Sequence, residues 1–142
     1  MKHVLPSAAA LAACLLFAAP GLAQETRPVT VDDILALKDV SAVTLSPDGK
    51  WAAYEVSRKD MKKDKVISRI WMTSTDGKTL LPLTGETYSA SSPQWSPDGT
   101  QLAFLASRDD LDEDATTQVW TLDMRGGEAV AYTDVTQGVD EF

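Results

Sequence analysis

The motif Ser-Pro-Asp-Gly occurs twice in this chain, at residues 46–49 and 96–99. At this spacing of 50 residues, residues 45–58 and 95–108 are identical at seven of 14 positions. After a one-residue deletion the match continues at a spacing of 49, with Thr84 over Thr133. A period of about 50 residues with short apolar segments is typical of a β-propeller, in which each repeat forms one blade.

Each repeat predicts four antiparallel strands. In Ser-Pro-Asp-Gly, Pro fixes φ at the second turn position, Ser and Asp bond to local amides, and Gly takes the positive φ that closes a hairpin. The predicted strands are residues 42–45, 51–57, 70–72 and 80–83, then 93–95, 101–107, 119–121 and 129–132. We therefore expect an all-β fold, a partial β-propeller of roughly two four-stranded blades.

Four aromatic residues hold equivalent places in the two repeats. Tyr54 corresponds to Phe104, and Trp71 corresponds to Trp120. Because both faces of a blade are covered by neighbouring blades, equivalent placement favours a role in packing between blades. Stacking on a ligand is the alternative role for these rings.

The first 23 residues have the pattern of an export signal. A positive start is followed by an apolar run over residues 4–19 and by small residues that end at Ala23. The run of about 16 residues is too short to span a bilayer comfortably. Leu-Ala-Ala-Cys at residues 11–14 has the spacing of a lipoprotein box, but the apolar run continues beyond Cys14. We expect cleavage after Ala23, and a protein in the periplasm or the medium with no membrane attachment.

Removal of this leader limits the chemistry of the mature chain. The full chain has 142 residues, with 13 Lys plus Arg, 21 Asp plus Glu, one His and one Cys. His3 and Cys14 both leave with the leader, so the remaining 119 residues have a formal charge of −9 and neither residue type. This excludes a Ser-His-Asp or Cys-His site, zinc held by His or Cys, and a disulfide within that chain. We predict no catalytic, cofactor-binding or metal-binding residues, and no nucleic-acid partner.

A short helix is predicted ahead of the first repeat, at residues 30–38. Thr30 can cap it, and acidic residues follow in its first turn. We expect its apolar side chains to dock on the propeller: Val31, Ile34, Leu35 and Leu37.

A charged segment separates the second and third strands of each repeat. Residues 58–65 are mainly basic, and residues 108–114 carry five acids and one Arg. Both are predicted to be solvated loops, with mutual pairing or a rim that meets a partner as the alternative. Asp110, Asp112 and Asp114 have the spacing of the start of a calcium loop, but the Gly and Glu that such a loop needs later are missing. We therefore expect no calcium site.

These observations give a predicted organisation of the chain. It comprises a signal peptide (1–23), a linker and short N-terminal helix (24–40), blade 1 (41–84), blade 2 (85–133) and the start of a truncated third blade (134–142). A propeller needs at least four blades to close. We therefore expect the chain to be an N-terminal fragment of a longer protein.

Two stretches carry a family resemblance that covers residues 28–142. Residues 33–41, Asp-Ile-Leu-Ala-Leu-Lys-Asp-Val-Ser, followed by Leu-Ser-Pro-Asp-Gly-Lys at 45–50, resemble the start of exported prolyl-oligopeptidase-family serine peptidases. The dipeptidyl-peptidase and acylaminoacyl-peptidase branch is the nearest. Residues 93–108 look like the next blade of that family. The turn motif alone is weakly specific for this family, because TolB-like propellers also use it. The combination of the short helix with the first blade is more specific.

The resemblance implies a function that the chain alone does not carry. Members of the family have a C-terminal α/β-hydrolase domain with Ser, Asp and His, whereas this sequence has no Gly-x-Ser-x-Gly nucleophile elbow. The implied protein is a secreted or periplasmic serine peptidase that hydrolyses short peptides, with the propeller gating substrate access. Its implied partner is the α/β-hydrolase domain of the same polypeptide. The alternatives are a non-enzymatic TolB-like binding propeller, and a short protein whose copies together close a ring.

Overall fold

The computed structural model describes residues 27–62, 64–108 and 115–142. Within these ranges one short helix, α1 (Val31–Leu35), precedes eight strands. The strands are β1 (Asp39–Leu45), β2 (Trp51–Asp60), β3 (Lys65–Ser74), β4 (Leu80–Pro82), β5 (Ser89–Trp95), β6 (Gln101–Ser107), β7 (Gln118–Asp123) and β8 (Val130–Ala131). They form two antiparallel sheets, β1-β2-β3-β4 and β5-β6-β7-β8, here called blade 1 and blade 2. The prediction of two four-stranded blades is confirmed.

Each Ser-Pro-Asp-Gly segment folds into the turn that its residues predict. In the first copy the N–H of Gly49 donates to the carbonyl of Ser46 at 2.8 Å, and Gly49 has a φ of +70°. The Ser46 hydroxyl donates to Asp48 at 2.7 Å and accepts from the N–H of Trp51 at 3.0 Å. The same bonds recur at residues 96–101. The polar groups of the turn thus satisfy one another and close the first hairpin of each blade.

A third copy of this turn joins β3 to β4, where the sequence repeat does not reveal it. Residues 74–77 are Ser-Thr-Asp-Gly, so Thr stands where the other copies have Pro. The Ser74 hydroxyl donates to Asp76 at 2.7 Å and accepts from the N–H of Thr79 at 2.9 Å, and Gly77 has a φ of +74°. Ser, Asp and Gly therefore suffice for this turn without Pro.

Bulges make β1 and β5 longer than predicted. β1 begins at Asp39 rather than Ala42, and β5 begins at Ser89 rather than Pro93. The pairing register shifts inside each strand, where Ala42 has a φ of +48° and Ser92 a φ of +52°. Because a bulge interrupts the alternation of side chains, the sequence pattern shows only the second half of each strand.

The β2–β3 hairpin projects further than its counterpart in blade 2. β2 pairs with β3 over ten residues, whereas β6 pairs with β7 over six. Residues 58–60 and Lys65 belong to these strands, so the prediction of a loop over residues 58–65 is wrong there. The strands continue because the β-branched Val66 and Ile67 pair with the charged end of β2. The projecting part exposes basic side chains: Arg58, Lys59, Lys62 and Lys65.

Helix α1 is capped as predicted but docks less than predicted. The Thr30 hydroxyl accepts from the N–H of Asp33 at 3.3 Å, and the Asp33 carboxylate accepts from the N–H of Thr30 at 2.8 Å. A side-chain hydrogen bond from Arg27 holds the pKa of Asp33 well below its usual range. Of the four apolar residues expected to dock, Leu35 is half-buried, but Val31, Ile34 and Leu37 are exposed. A helix of five residues is little more than one turn and presents too small a face to cover a sheet.

Candidate functional site: the interface between two blades

The two blades pack face to face, and the core lies between them. Ala53 and Ile70 of blade 1 are fully buried in one cluster with Leu102, Phe104 and Ala106 of blade 2. Alternate residues of a strand share a face, so β6 presents its three members of this cluster on one side. We call these the packed faces of blade 1 and blade 2. The packed face of blade 1 also includes Met72, and that of blade 2 also includes Ala90.

The opposite side of blade 1, its outer face, carries apolar side chains too. Tyr54 pairs with Trp71 across β2 and β3 on this side, and both rings are half-buried. Val40, Leu45 and Leu80 lie on the same side by their register and are exposed. The predicted role in packing between blades is confirmed for the blade 2 aromatics, because Phe104 is buried and Trp120 packs against the core. For the blade 1 aromatics it stays a prediction, because no blade among the described residues lies against the face that carries them.

Repeat-matched threonines tie each blade to the segment that leaves it. The buried Thr84 hydroxyl accepts from the N–H of Ile70 at 3.0 Å. The Thr133 hydroxyl accepts from the N–H of Val119 at 2.9 Å. Ile70 lies in β3 directly before the residues that pair with the short strand β4. Val119 lies in β7 directly before the residues that pair with the short strand β8. The matched threonines therefore satisfy backbone groups that the sheet leaves unpaired, which explains why they recur in the repeat.

Arginines stack on the matched tryptophans. The Arg69 guanidinium lies 5.6 Å from the centre of the Trp71 ring. The Arg108 guanidinium lies 4.5 Å from the centre of the Tyr88 ring and 5.0 Å from that of Trp120. Tyr88 belongs to the segment that joins the blades, so Arg108 fastens blade 2 to that segment. Such contacts stabilise by about 0.5–1 kcal/mol at exposed sites.

A cleft of about 510 Å³ opens at the turn end of the interface. It is lined by both Ser-Pro-Asp-Gly turns and by Trp51, Met72, Trp95 and Met124. Hydrogen bonds lower the pKa of Asp98 to about 2, and the largest effect comes from the Ser96 hydroxyl. In the same way, the Ser46 hydroxyl lowers the pKa of Asp48. Trp95 Nε1 is buried with no hydrogen-bond partner among the described residues. The cleft therefore combines indole rings with two carboxylates that stay ionised near neutral pH.

The shifted carboxyl groups of the described residues all share one direction of shift. Every carboxyl pKa that is shifted in these ranges is shifted downward, whereas a general acid or base near neutral pH needs the opposite shift. No group of three His, Cys, Asp or Glu in residues 27–62, 64–108 and 115–142 is arranged to hold a metal ion. Among the same residues, no helix has the length and apolar character needed to cross a membrane.

Several sequence predictions lie outside the described residues. They concern the leader, residues 1–23, with His3 and Cys14, and the acidic segment with Asp110, Asp112 and Asp114. These remain predictions. Of that acidic segment, Arg108 is described, and it stacks between the rings of Tyr88 and Trp120.

The arrangement of the two sheets defines the class of the protein. The two four-stranded antiparallel sheets stack through apolar faces, and the segment that leaves β4 of blade 1 enters β5, the first strand of blade 2. This is the construction of a β-propeller. The chain therefore contains two consecutive propeller blades.

The curated relatives of this chain are peptidases. No family model matches the sequence. It is 36% identical over 113 residues to the uncharacterized peptidase YuxL of Bacillus subtilis, which covers 80% of this chain and 17% of the relative. It is 33% identical over 79 residues to dipeptidyl-peptidase 5 of Porphyromonas gingivalis, covering 56% of this chain and 12% of that protein. The resemblance to peptidases that was predicted from the sequence is confirmed.

Solved structures show the same fold. The isopeptidase AtxE2 of Asticcacaulis excentricus superimposes with a TM-score of 0.63 at 22% identity, covering 82% of this chain and 22% of that protein. The chain thus spans less than a quarter of the length of each of these three proteins.

Proposed function

We propose that this chain forms the opening blades of the propeller of an exported serine peptidase that hydrolyses short peptides. The observation that carries the proposal is the alignment of 80% of the chain with a peptidase at 36% identity. The part that aligns folds as propeller blades, and its shifted carboxyl groups are not poised for acid–base chemistry. The proposal therefore assigns the catalytic residues to a domain of the same polypeptide that these 142 residues do not include.

In this proposal the reaction and the blades have separate roles. A Ser nucleophile gives its proton to a His that an Asp orients and attacks the peptide carbonyl. The C–N bond breaks, the amine leaves with the proton from His, and water then hydrolyses the acyl-enzyme that remains. Stacked blades surround a central channel. A propeller set over the catalytic domain admits short flexible peptides and rejects folded proteins by size. The packed core around Ile70 and Phe104 holds these two blades of the wall against each other.

The first experiment reads the coding sequence beyond codon 142 and expresses the whole product. We expect further Trp-Ser-Pro-Asp-Gly blades, a Gly-x-Ser-x-Gly elbow and a late His. The product should cleave fluorogenic dipeptide amides, leave a folded protein substrate intact and react with a fluorophosphonate probe. The matched control replaces the elbow Ser by Ala and should lose cleavage and labelling.

Two outcomes contradict the proposal. Blades that continue without an elbow or a late His identify a TolB-like binding propeller instead. A stop codon directly after Phe142 contradicts both the peptidase and the TolB-like binding propeller. It would leave a short chain that has to oligomerise or bind another protein.

Export is a separate part of the proposal and has its own test. The apolar run at residues 4–19 and the small residues before Gln24 support cleavage after Ala23. Mass spectrometry of the protein expressed in a bacterial host should find Gln24 as the first residue of an exported species. A protein that keeps Met1 and stays in the cytoplasm contradicts export.

A further inference from the structure

The side chains of the cleft at the turn end of the interface are not dictated by the repeat. Trp51 and Met72 of blade 1 meet Trp95 and Met124 of blade 2 in this cleft. Each of the four differs in residue type from its repeat counterpart. In the same order, the counterparts are Gln101, Thr121, Leu45 and Thr75. The cleft has a volume of about 510 Å³, which is the size of a small-molecule site.

The two indole rings of the cleft lack partners that other tryptophans of the chain have. Arginine stacks on Trp71 and on Trp120, whereas no cation among the described residues stacks on Trp51 or Trp95. The Nε1–H of Trp120 donates to the Ala106 carbonyl at 3.2 Å, but that of Trp95 is buried with no acceptor in the described chain. Because indole attracts cations more strongly than the other aromatic rings, both rings can accept a cation from a ligand.

Asp98 provides the cleft with a carboxylate oxygen that no described cation meets. Its Oδ1 accepts from the Ser96 hydroxyl at 2.7 Å, and from the N–H and the hydroxyl of Thr100 at 3.0 and 2.9 Å. These bonds hold the turn and all go to the same oxygen. Within the described chain, Oδ2 receives neither a hydrogen bond nor an ion pair. The second oxygen is therefore available to a ligand.

Three turns of the same kind place a cation beside this second oxygen. In each of them the residue two positions after the Asp is basic. The pairs are Lys50 with Asp48 at 3.6 Å, Lys78 with Asp76 at 3.0 Å and Arg125 with Asp123 at 2.5 Å. In the turn of Asp98 this position is Thr100, which has no charge. The intramolecular cation is thus missing at a carboxylate that lines the cleft.

We propose that the cleft binds an aliphatic ammonium group, with its charge at Asp98 Oδ2 and its carbon chain along the rings of Trp51 and Trp95. Asp98 is exposed and Met72 is buried, so the charge stays at the mouth of the cleft while the chain enters. A guanidinium fits less well, because its paired donors need both carboxylate oxygens and Oδ1 already accepts from the turn. Free amines and lysine side chains share this chemistry. The inference does not rest on the proposed peptidase activity.

Titration of the full chain with n-pentylamine tests the proposal. The chain has four Trp, so four indole N–H signals in proton–nitrogen correlation spectra act as reporters. We expect the signals of Trp51 and Trp95 to shift until they saturate, and those of Trp71 and Trp120 to stay in place. The neutral n-pentanol should bind at least threefold more weakly. Acetyl-Gly-Lys-Gly-amide provides the same ammonium on a side chain, and whichever of the two amines saturates at the lower concentration identifies the source.

Matched substitutions in two turns identify the carboxylate. Asp98→Asn keeps an oxygen for the turn but removes the charge, and should weaken n-pentylamine binding about threefold, the effect of an exposed ion pair. Asp76→Asn makes the same change where Lys78 already pairs with the carboxylate, and should leave binding unchanged. Thr100→Lys supplies the cation that the other turns have, and should also weaken binding because it occupies Oδ2.

Three results overturn the proposal. The first is the absence of a shift at Trp51 and Trp95. The second is binding of n-pentanol as tight as that of n-pentylamine, which would make the cleft an apolar pocket without charge recognition. The third is unchanged n-pentylamine binding in both Asp98→Asn and Thr100→Lys, which would place the ammonium elsewhere.

Discussion

Blade 1 and blade 2 share one strand order, one turn chemistry and one bulge position, yet they differ in burial. The cluster that forms the core takes Ala90, Leu102, Phe104 and Ala106 from one side of blade 2. The matched side of blade 1 is partly open to solvent. The difference teaches that the strand pattern fixes which face a residue occupies, whereas its burial depends on the neighbouring blade.

The aromatic pair offers the largest expected contrast. Phe104→Ala should lower the free energy of unfolding by about 3–5 kcal/mol, because it empties a fully buried site. Tyr54→Ala should cost about 1 kcal/mol, since its ring is half-buried. Urea denaturation of both variants measures the difference. Equal costs would show that the two faces are equally covered in solution.

The matched threonines should show a smaller contrast. Thr84→Val removes the acceptor of the Ile70 N–H in a buried position and should cost about 1–3 kcal/mol. Thr133→Val removes the acceptor of the Val119 N–H, but Thr133 is half-buried and water reaches it more easily. Its cost should be lower. Hydrogen exchange of the two amides reports each loss directly, and an unchanged rate at Ile70 would contradict the assigned bond.

The turns should show no contrast between blades. Gly49 and Gly99 both have a φ of +70°, and Ala at either position would be strained by about 1–2 kcal/mol. A Cβ would meet nothing within 4 Å at Gly49 and the Pro47 ring at an ordinary 3.4 Å at Gly99. We expect Gly49→Ala and Gly99→Ala to shift the denaturation midpoint by similar amounts. A much larger effect at one site would mean that the turns differ in structure.

The pH dependence of the turns gives the smallest effect. The pKa of Asp98 is about 2 in the folded chain, below the ordinary 3.8, because the Ser96 hydroxyl and the N–H of Thr100 donate to it. Its contribution is fully present above about pH 4 and is lost as the pH falls toward 2. Carboxyl NMR titration should find this low pKa, and Ser96→Ala should raise it. A pKa near 3.8 in the parent chain would contradict the turn geometry.

The sequence predicts most of the fold, because the repeat allows each position of one blade to be compared with its counterpart in the other. The turn residues and the alternating apolar positions identify all eight strands. The bulges escape detection, since Ala42 and Ser92 take a positive φ that neither residue type favours. The length of the β2–β3 hairpin also escapes, because charged residues at its end have a low strand propensity and are held by pairing with Val66 and Ile67.

The interface is less predictable from the sequence than the strands. Equivalent placement indicates that Tyr54 and Phe104 share a face, but it does not say which of them is covered. The stacking of Arg108 on Tyr88 is also hidden, because the two residues are 20 positions apart and belong to different elements. Thr84 is found as a repeat match, and its role in accepting from Ile70 emerges only from the geometry.

The most direct test of the stacked blades is a NOESY spectrum of a methyl-labelled sample. Ile70 and Phe104 belong to different sheets and meet in one buried cluster, whereas the Tyr54 ring lies on the opposite side of blade 1. We predict strong cross-peaks from the Ile70 methyl groups to the Phe104 ring and none to the Tyr54 ring. If the Ile70 methyl groups gave cross-peaks only to residues of blade 1, this would contradict the packing of blade 1 on blade 2.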